Sequence, residues 1–427
     1  MLEPEIFQRR QSRPASNFGI LLLSISFMTG FITYAGTILK LGGGPYQTSD
    51  WLINYEAGFV RRGLVGQLIL NLAPNSVIGL GSLLIVQSLL FLIVFIFFAW
   101  ILYRSNSSWF LTILICSPAG IVFSGWDVAG FGRKEIIGYV VFILLFFQIR
   151  QRNRVNSRLL IWSAFSLYIF GILSWEPLAL LLPTVILMLR CGMNSSSKKV
   201  ESYITQAIFI FSTGLIFFLS MKYKGSQSQA AMICDAVRAK GYTGEFLCSG
   251  ANGSVGYSAI DAIGWSSSFT LQQVRESFPL YFWYLPLFSL ALFPLIKSKI
   301  LVGLEKNSIV IFLSLAPLYL IVTDYGRWFS MFYISVLFVL LSLKNISKLE
   351  LNESLSRPFG IVFLLAWGIP HWVRPGASFP VNGAIITPIK ILLHYSLAFR
   401  VVYASLLTLI ICLFLFVSFR RRQNRFP

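Results

Sequence analysis

Charge is what this chain has least of. Only 12% of its 427 residues are Asp, Glu, Lys or Arg, and the acids number just 16. A soluble domain carries about twice that share of charge. With 56% hydrophobic residues and a mean hydropathy of +0.73, the composition excludes an ordinary soluble protein. Histidine occurs twice, as His371 and His394, so a His-rich metal centre is excluded. Five cysteines are too few for a disulfide scaffold. Cys116, Cys191 and Cys412 lie in or beside apolar runs and read as packing residues, whereas Cys234 and Cys248 share one polar loop and form either a disulfide or two free thiols. The chain has no nucleotide-type glycine loop and no nucleophile elbow.

What the chain does have is long apolar runs separated by unequal loops. Spanning a bilayer takes roughly 20 apolar residues. By that measure the spans are 18–39, 77–103, 109–123, 135–149, 159–174, 177–190, 203–221, 278–296, 307–322, 328–343, 358–370 and 396–418. The expected fold is therefore all-α, a polytopic integral membrane protein of about twelve helices forming one transmembrane domain over 1–427. The short spans 109–123, 159–174 and 177–190 either extend into their loops or re-enter. Basic residues collect on one side of this layout: Arg9, Arg10 and Arg13; Arg104; Arg150, Arg152, Arg154 and Arg158; Arg190, Lys198 and Lys199; Lys297, Lys299 and Lys306; Lys344, Lys348 and Arg357; Arg420, Arg421, Arg422 and Arg425. The positive-inside rule makes that side, and both termini, cytoplasmic. The basic balance then meets anionic lipid headgroups and not nucleic acid. The expected location is a cell membrane, multi-pass, of the bacterial inner-membrane type.

Ten of the 16 acids fall in the opposite loops. The first outer loop, 40–76, runs Asp50-Trp51-Leu52-Ile53-Asn54-Tyr55-Glu56-Ala57-Gly58-Phe59-Val60-Arg61-Arg62-Gly63, and residues 57–70 read as an interfacial helix. A carboxylate can deprotonate a hydroxyl, and an arginine fork can hold phosphate oxygens. The bland alternative is a helix anchored by aromatics and snorkelling arginines. A second loop holds Asp127, Arg133 and Glu135 among glycines, readable as an intraloop Asp–Arg pair. Glu176 stands alone before Pro177 between two apolar spans, either a functional acid or a helix cap. Asp324 and Arg327 flank Gly326 in a very short loop, as a structural pair or part of a site. His371 reads as an interfacial belt residue more readily than a catalyst. The largest outer loop, 222–277, is polar and suited to a lid.

Four acid–arginine clusters on one face suggest one polar cavity open to the outside. This layout resembles lipid-dependent glycosyltransferases of the GT-C type, and is closest to Wzy-type polysaccharide polymerases. The resemblance is architectural and departs from many GT-C enzymes in lacking an adjacent acidic pair and a large C-terminal outer domain. It implies a polyprenyl-phosphate or polyprenyl-diphosphate sugar donor, a glycan or lipid acceptor, and a role in cell-envelope polysaccharide synthesis. Glu56, standing before the glycine turn that leads into the arginine pair, or alternatively Asp50 or Glu176, would be the catalytic base, Arg61, Arg62, Arg133 and Arg327 would hold the donor phosphate, and Asp127 and Asp324 would orient them. No cofactor is expected, and no ligand cluster supports a divalent metal. The competing readings are a transporter or flippase of lipid-linked sugars and an outer-face acyl or phospho-group transferase.

Overall fold

The computed structural model of the chain describes residues 13–104, 109–127, 129–151, 153–193, 199–244, 247–248, 250–297, 301–321, 323–343, 357–369, 371, 383–394 and 401–409. The described residues form helices and contain no strand. In chain order they are α1 (Arg13–Leu41), α2 (Ser49–Leu52), α3 (Gly63–Leu72), α4 (Ser76–Arg104), α5 (Trp109–Ile115), α6 (Phe123–Trp126), α7 (Glu135–Arg150), α8 (Arg154–Ser174), a 3-10 turn (Glu176–Leu181) running into α9 (Leu182–Met193), α10 (Lys199–Lys222), α11 (Gln227–Ala239), α12 (Ala259–Lys297), α13 (Leu301–Ile321), α14 (Tyr325–Ser342), α15 (Arg357–Leu365) and α16 (Ile386–His394). A further helical stretch covers 401–409.

Among the described residues, six segments are long and apolar enough to cross a membrane: Pro14–Leu41, Ser76–Arg104, Val155–Ser174, Glu176–Met193, Val200–Lys222 and Tyr325–Ser342. Helix α4 is apolar on both sides. Leu83, Phe91, Val94 and Phe98 pack inward, while Ile78, Ile85, Leu89, Ile93 and Ile96 stay exposed along one stripe. Helix α10 likewise exposes Ile204, Phe211, Leu215 and Phe218. Contiguous apolar surface of this kind is disfavoured in water and suits lipid. Helix α14 is instead enclosed by α7, α9, α12 and α13, and buries Gly326 through Ser342 on every side.

The expected spans are recovered unevenly. The 109–123 run is not one helix: α5 stops before Pro118 and the chain turns into the four-residue α6. Nearly all of it is buried in protein, the condition under which irregular backbone is tolerated at depth. The 278–296 run is the C-terminal half of α12, a helix of 39 residues. Consequently residues 259–277, expected in the large outer loop, are helical. Arg9, Arg10, the C-terminal basic cluster, Pro370, Trp372 and Arg374 lie outside the described residues, as do both ends of 396–418.

Two loop segments fold as one module at the end of the bundle where α1 finishes and α4 begins. Ile53 and Val60 share a small core with Ala230, Ile233, Ala251 and Val255. Ser49 Oγ donates to the Leu247 carbonyl at 2.7 Å, and the Ala251 amide donates to the Pro45 carbonyl at 2.9 Å. Gln229 Nε2 donates to the Ala57 carbonyl at 2.9 Å. Cys234 and Cys248 are joined by a disulfide, with Cα atoms 5.5 Å apart, closing the segment between α11 and Leu247. The interfacial helix begins at Gly63, later than the expected residue 57, because the backbone turns through the left-handed region at Gly58 and Arg62. Within it, a Cβ at Gly66 would overlap the Ile53 carbonyl, so only glycine lets α3 lie this close to the backbone at the end of α2.

Candidate functional site: a buried charge network

Five carboxylates and five cationic side chains meet beneath this module. Three of the acids occupy helix N-terminal turns, where the backbone dipole favours negative charge: Asp50 in α2, Glu135 in α7 and Glu176 in the 3-10 turn. Asp324 immediately precedes α14. The loop before α7 is aimed by Gly132, at φ 82°, whose carbonyl accepts from Trp51 Nε1 and Gln87 Nε2 at 2.8 Å each. Arg133, Lys134 and Glu135 follow directly and are all buried.

One half of the network centres on Glu176. Arg62 grips it with two bonds of 2.7 Å, from Nε and Nη2, and places Nη1 3.5 Å from Asp50 Oδ1. Arg61 Nη1 lies 3.6 Å from Glu176, while its Nη2 donates to the Ser254 and Tyr257 carbonyls. Lys134 Nζ sits 3.7 Å from Asp50 Oδ2 and donates at 2.6 Å to the carbonyls of both Asp50 and Ser174. The other half centres on Asp324 and Glu135. Arg327 forks onto Glu135 at 2.8 and 2.5 Å and reaches Asp324 at 3.3 Å. Its guanidinium also lies against the Trp175 and Trp328 rings, 4.8 and 4.7 Å from their centroids. His371 bridges two acids: Nδ1 pairs with Asp127, and Nε2 lies 3.3 Å from Asp324. Arg133 Nη2 stands 4.0 Å from Asp324, with the guanidinium over the exposed Tyr46 ring. A small cavity lined by Ser124, Glu135, Tyr139, Arg327 and Ser330 reaches this second half. The halves adjoin because Lys134 and Glu135 are consecutive residues.

Asp50, Glu176, Asp127, Asp324, Arg61, Arg62, Arg133 and Arg327 are thus brought together from loops far apart in sequence. Glu56 is not. It is exposed on the outer module and accepts from Gln67 Nε2 at 2.9 Å, so the expectation that Glu56 and Asp324 share one pocket is not met. The turn at Gly58 and Arg62 separates Glu56 from the arginines that follow it. Asp127 does not pair with Arg133; it takes His371, and Arg133 Nε instead donates to the Ala129 carbonyl. The belt reading of His371 fails for the same reason. Lys134, Glu135 and His371 complete the network; the sequence placed Glu135 in the second loop and His371 in the interfacial belt, and gave none of the three a place in the site. Their only signal was position, since Lys134 and Glu135 directly follow Arg133 at the edge of an apolar run.

Burial shapes the charges. Desolvation pulls the Lys134 ammonium down to about 8, against the opposing field of Asp50. Desolvation also lowers Arg61 and Arg133. For Asp324, burial alone would raise the carboxyl, but His371, Arg133 and Arg327 outweigh it and hold it well below its ordinary range. For His371, burial lowers the imidazole and the two aspartates outweigh that, raising it to about 9. A raised histidine stabilises the fold fully below its unfolded value, about 6.5, and loses that contribution as pH climbs through about 9. The melting temperature of the purified protein is therefore expected to be flat near pH 6 and to fall between pH 6.5 and 9. His371→Asn should remove that slope, and an unchanged slope in the variant would assign it to other groups.

With His371 protonated, six cationic side chains face five carboxylates, and the site carries an excess positive charge. Two buried polar atoms in it, Asp50 Oδ1 and Arg133 Nη2, make no hydrogen bond. One can accept a proton or hydroxyl, and the other can donate to an anion. Among the described residues no group of three or more His, Cys, Asp or Glu is placed to hold a metal ion. Comparison with known protein families, curated proteins and solved structures finds no match for this chain.

Proposed function

We propose that this chain is a membrane glycosyltransferase or polysaccharide polymerase working on the extracytoplasmic face, with a polyprenyl-phosphate or polyprenyl-diphosphate sugar as donor and a glycan or lipid as acceptor. The observation that carries this reading is a buried charge network at one end of an apolar bundle, in which Asp50 Oδ1 and Arg133 Nη2 make no hydrogen bond. Asp50 is the base. Glu176 is held by the Arg62 fork, and Glu56 lies outside the network, whereas Asp50 Oδ1 makes no hydrogen bond. The acceptor hydroxyl gives its proton to Asp50, its oxygen forms the bond to the anomeric carbon, and the bond from that carbon to the phosphate oxygen breaks. Arg61 and Arg133 stabilise the departing phosphate charge, while Arg62 and Arg327 brace the acids that aim the site. Ionised groups concentrated at one end, with no charged path along the apolar helices α4 and α10, favour this reading over a transporter.

The same reading places twelve spans in a cell membrane of the bacterial inner-membrane type, with both termini cytoplasmic. It is supported by Arg104, Arg150, Arg190 and Lys297, which close α4, α7, α9 and α12 away from the network. Reporter fusions after Pro427 and within 240–250 are expected to read opposite sides; the same side for both would overturn the orientation.

Arg61→Lys and Arg133→Lys keep a charge but lose the planar fork. Each is expected to cut sugar transfer at least tenfold while expression and topology hold. Wild-type yield and chain length in both variants would refute a phosphate-binding role.

A further inference from the structure

A second polar cavity lies at the far end of the bundle, where α7, α8, α9 and α10 come together. Gln148 of α7, Ser157 and Arg158 of α8, Gly192 of α9 and Glu201 of α10 line it. Gln148 stands about 20 Å along α7 from Glu135, so this cavity is separate from the charge network. The Gln148 side chain is buried, with 3% of the residue exposed. Its Nε2 donates to Ser157 Oγ at 3.2 Å, but its Oε1 makes no hydrogen bond. A buried amide oxygen left without a donor is costly, and here it lies on a cavity wall, where a donor can reach it. Gly192 makes room for the amide: a Cβ there would stand 2.4 Å from Oε1 and 2.8 Å from Nε2. The surroundings select the donor. Arg158 is exposed and gives its Nε to Glu201 Oε1 at 2.9 Å, which leaves both Nη groups without an acceptor among the described residues. The stretches 150–158 and 190–201 carry seven basic residues and one acid, Glu201. Beside them α8 exposes Val155, Leu159 and Trp162, and α10 exposes Val200, Tyr203 and Ile204. Basic groups next to exposed aliphatic and amphipathic aromatic side chains suit the headgroup layer of a membrane.

We propose that this cavity is a binding site for an anionic phospholipid whose headgroup carries a free hydroxyl, as phosphatidylglycerol does. The phosphate sits against the Nη groups of Arg158, and the headgroup hydroxyl enters the cavity and donates to Gln148 Oε1. The acyl chains run along the exposed apolar side chains of α8 and α10. Glu201 takes only the Nε of Arg158, and its own charge favours a phosphodiester with a single negative charge over a more highly charged headgroup. A choline headgroup has no proton to give Oε1. A primary ammonium has one, but the surrounding basic residues disfavour a cation. Nothing in this assignment depends on the glycosyl-transfer reading. Bound there, the lipid ties α8 to α10 at the end of the bundle opposite the charge network.

The test uses delipidated full-length protein in detergent micelles, with native mass spectrometry reporting the affinity for the first lipid bound. Three short-chain probes separate the two contacts. Phosphatidylglycerol has both the charge and the hydroxyl, phosphatidylmethanol has the same charge and no hydroxyl, and phosphatidylcholine has neither. Wild type is expected to bind phosphatidylglycerol about fivefold or more tighter than phosphatidylmethanol, because a site built to meet a hydroxyl discriminates against its absence. Phosphatidylmethanol should in turn bind about fivefold tighter than phosphatidylcholine. Gln148→Met, close in volume, should bring phosphatidylglycerol down to the level of phosphatidylmethanol. Arg158→Gln should weaken both anionic lipids about fivefold and leave phosphatidylcholine unchanged. Arg158 is exposed, so its variant locates the site even where Gln148→Met fails to fold. Phosphatidylglycerol and phosphatidylmethanol within twofold of each other in wild type would mean that the cavity holds only water, and would overturn the proposal. A preference for phosphatidylglycerol that survives Arg158→Gln undiminished would place the lipid elsewhere and overturn it as well.

Discussion

Asp50→Asn is expected to lower sugar transfer by a factor of about 10²–10⁴, the usual contribution of a positioned general base. The substitution is nearly isosteric, and Lys134 keeps its bonds to the Asp50 and Ser174 carbonyls, so the fold and donor binding should survive. Glu56→Gln is the informative partner. Both acids belong to the same stretch of the first outer loop, but Glu56 is exposed and bonded to Gln67. Its variant is expected to retain transfer within about twofold, consistent with a solvated surface position. A large loss in Glu56→Gln with near-normal Asp50→Asn would reverse the assignment. Donor binding, read by retention of radiolabelled lipid-linked sugar, separates a lost base from a collapsed site.

Arg327→Met is expected to cost about 3–5 kcal/mol of stability, the range for removing one partner of a buried ion pair. Arg327 holds Glu135 through two short bonds and also reaches Asp324, with both sides of the Glu135 pair buried. Its loss strands a carboxylate at the start of α7 and frees the entrance to α14, the helix at the centre of the bundle. Adding Glu135→Gln should recover part of the loss, because the stranded charge is then gone. Thermal melts of the single and double variants give the coupling directly. Equal melting temperatures for wild type and Arg327→Met would show that the pair is not a brace, and would return Arg327 to the set of phosphate ligands.

The limits of the sequence are visible in the same residues. Helix α4 was legible almost to its ends, because an uninterrupted apolar run has few alternatives. The 109–123 run was legible only in part: its shortness and Pro118 mark a break, but the path the chain takes after it is set by packing against neighbouring helices. The two acids of the first outer loop illustrate the site. Position before the glycine turn favoured Glu56 over Asp50 as the base, but a left-handed turn at Gly58 and a positive φ at Arg62 send Asp50 inward and leave Glu56 in solvent. Arg62 is the only described non-glycine residue in that region of φ, and its fork on Glu176 holds it there. The clustering of acids and arginines on one face pointed to a shared site. Which acid meets which base did not follow from it, because those pairs join residues more than a hundred positions apart. Lys134 was hidden for the same reason, being one more lysine at a loop edge until Asp50 and Ser174 close around it.

The central claim is that the charge network forms a new glycosidic bond at the expense of a lipid phosphate. The most direct measurement places purified protein in liposomes with polyprenyl-diphosphate-linked oligosaccharide taken from its native host. Two products are followed together, the freed polyprenyl diphosphate and the joined glycan. Wild type should yield both in equal amounts, and Asp50→Asn should yield neither while still binding donor. Donor that crosses the bilayer intact without any new glycosidic bond, or equal product from wild type and Asp50→Asn, would contradict it.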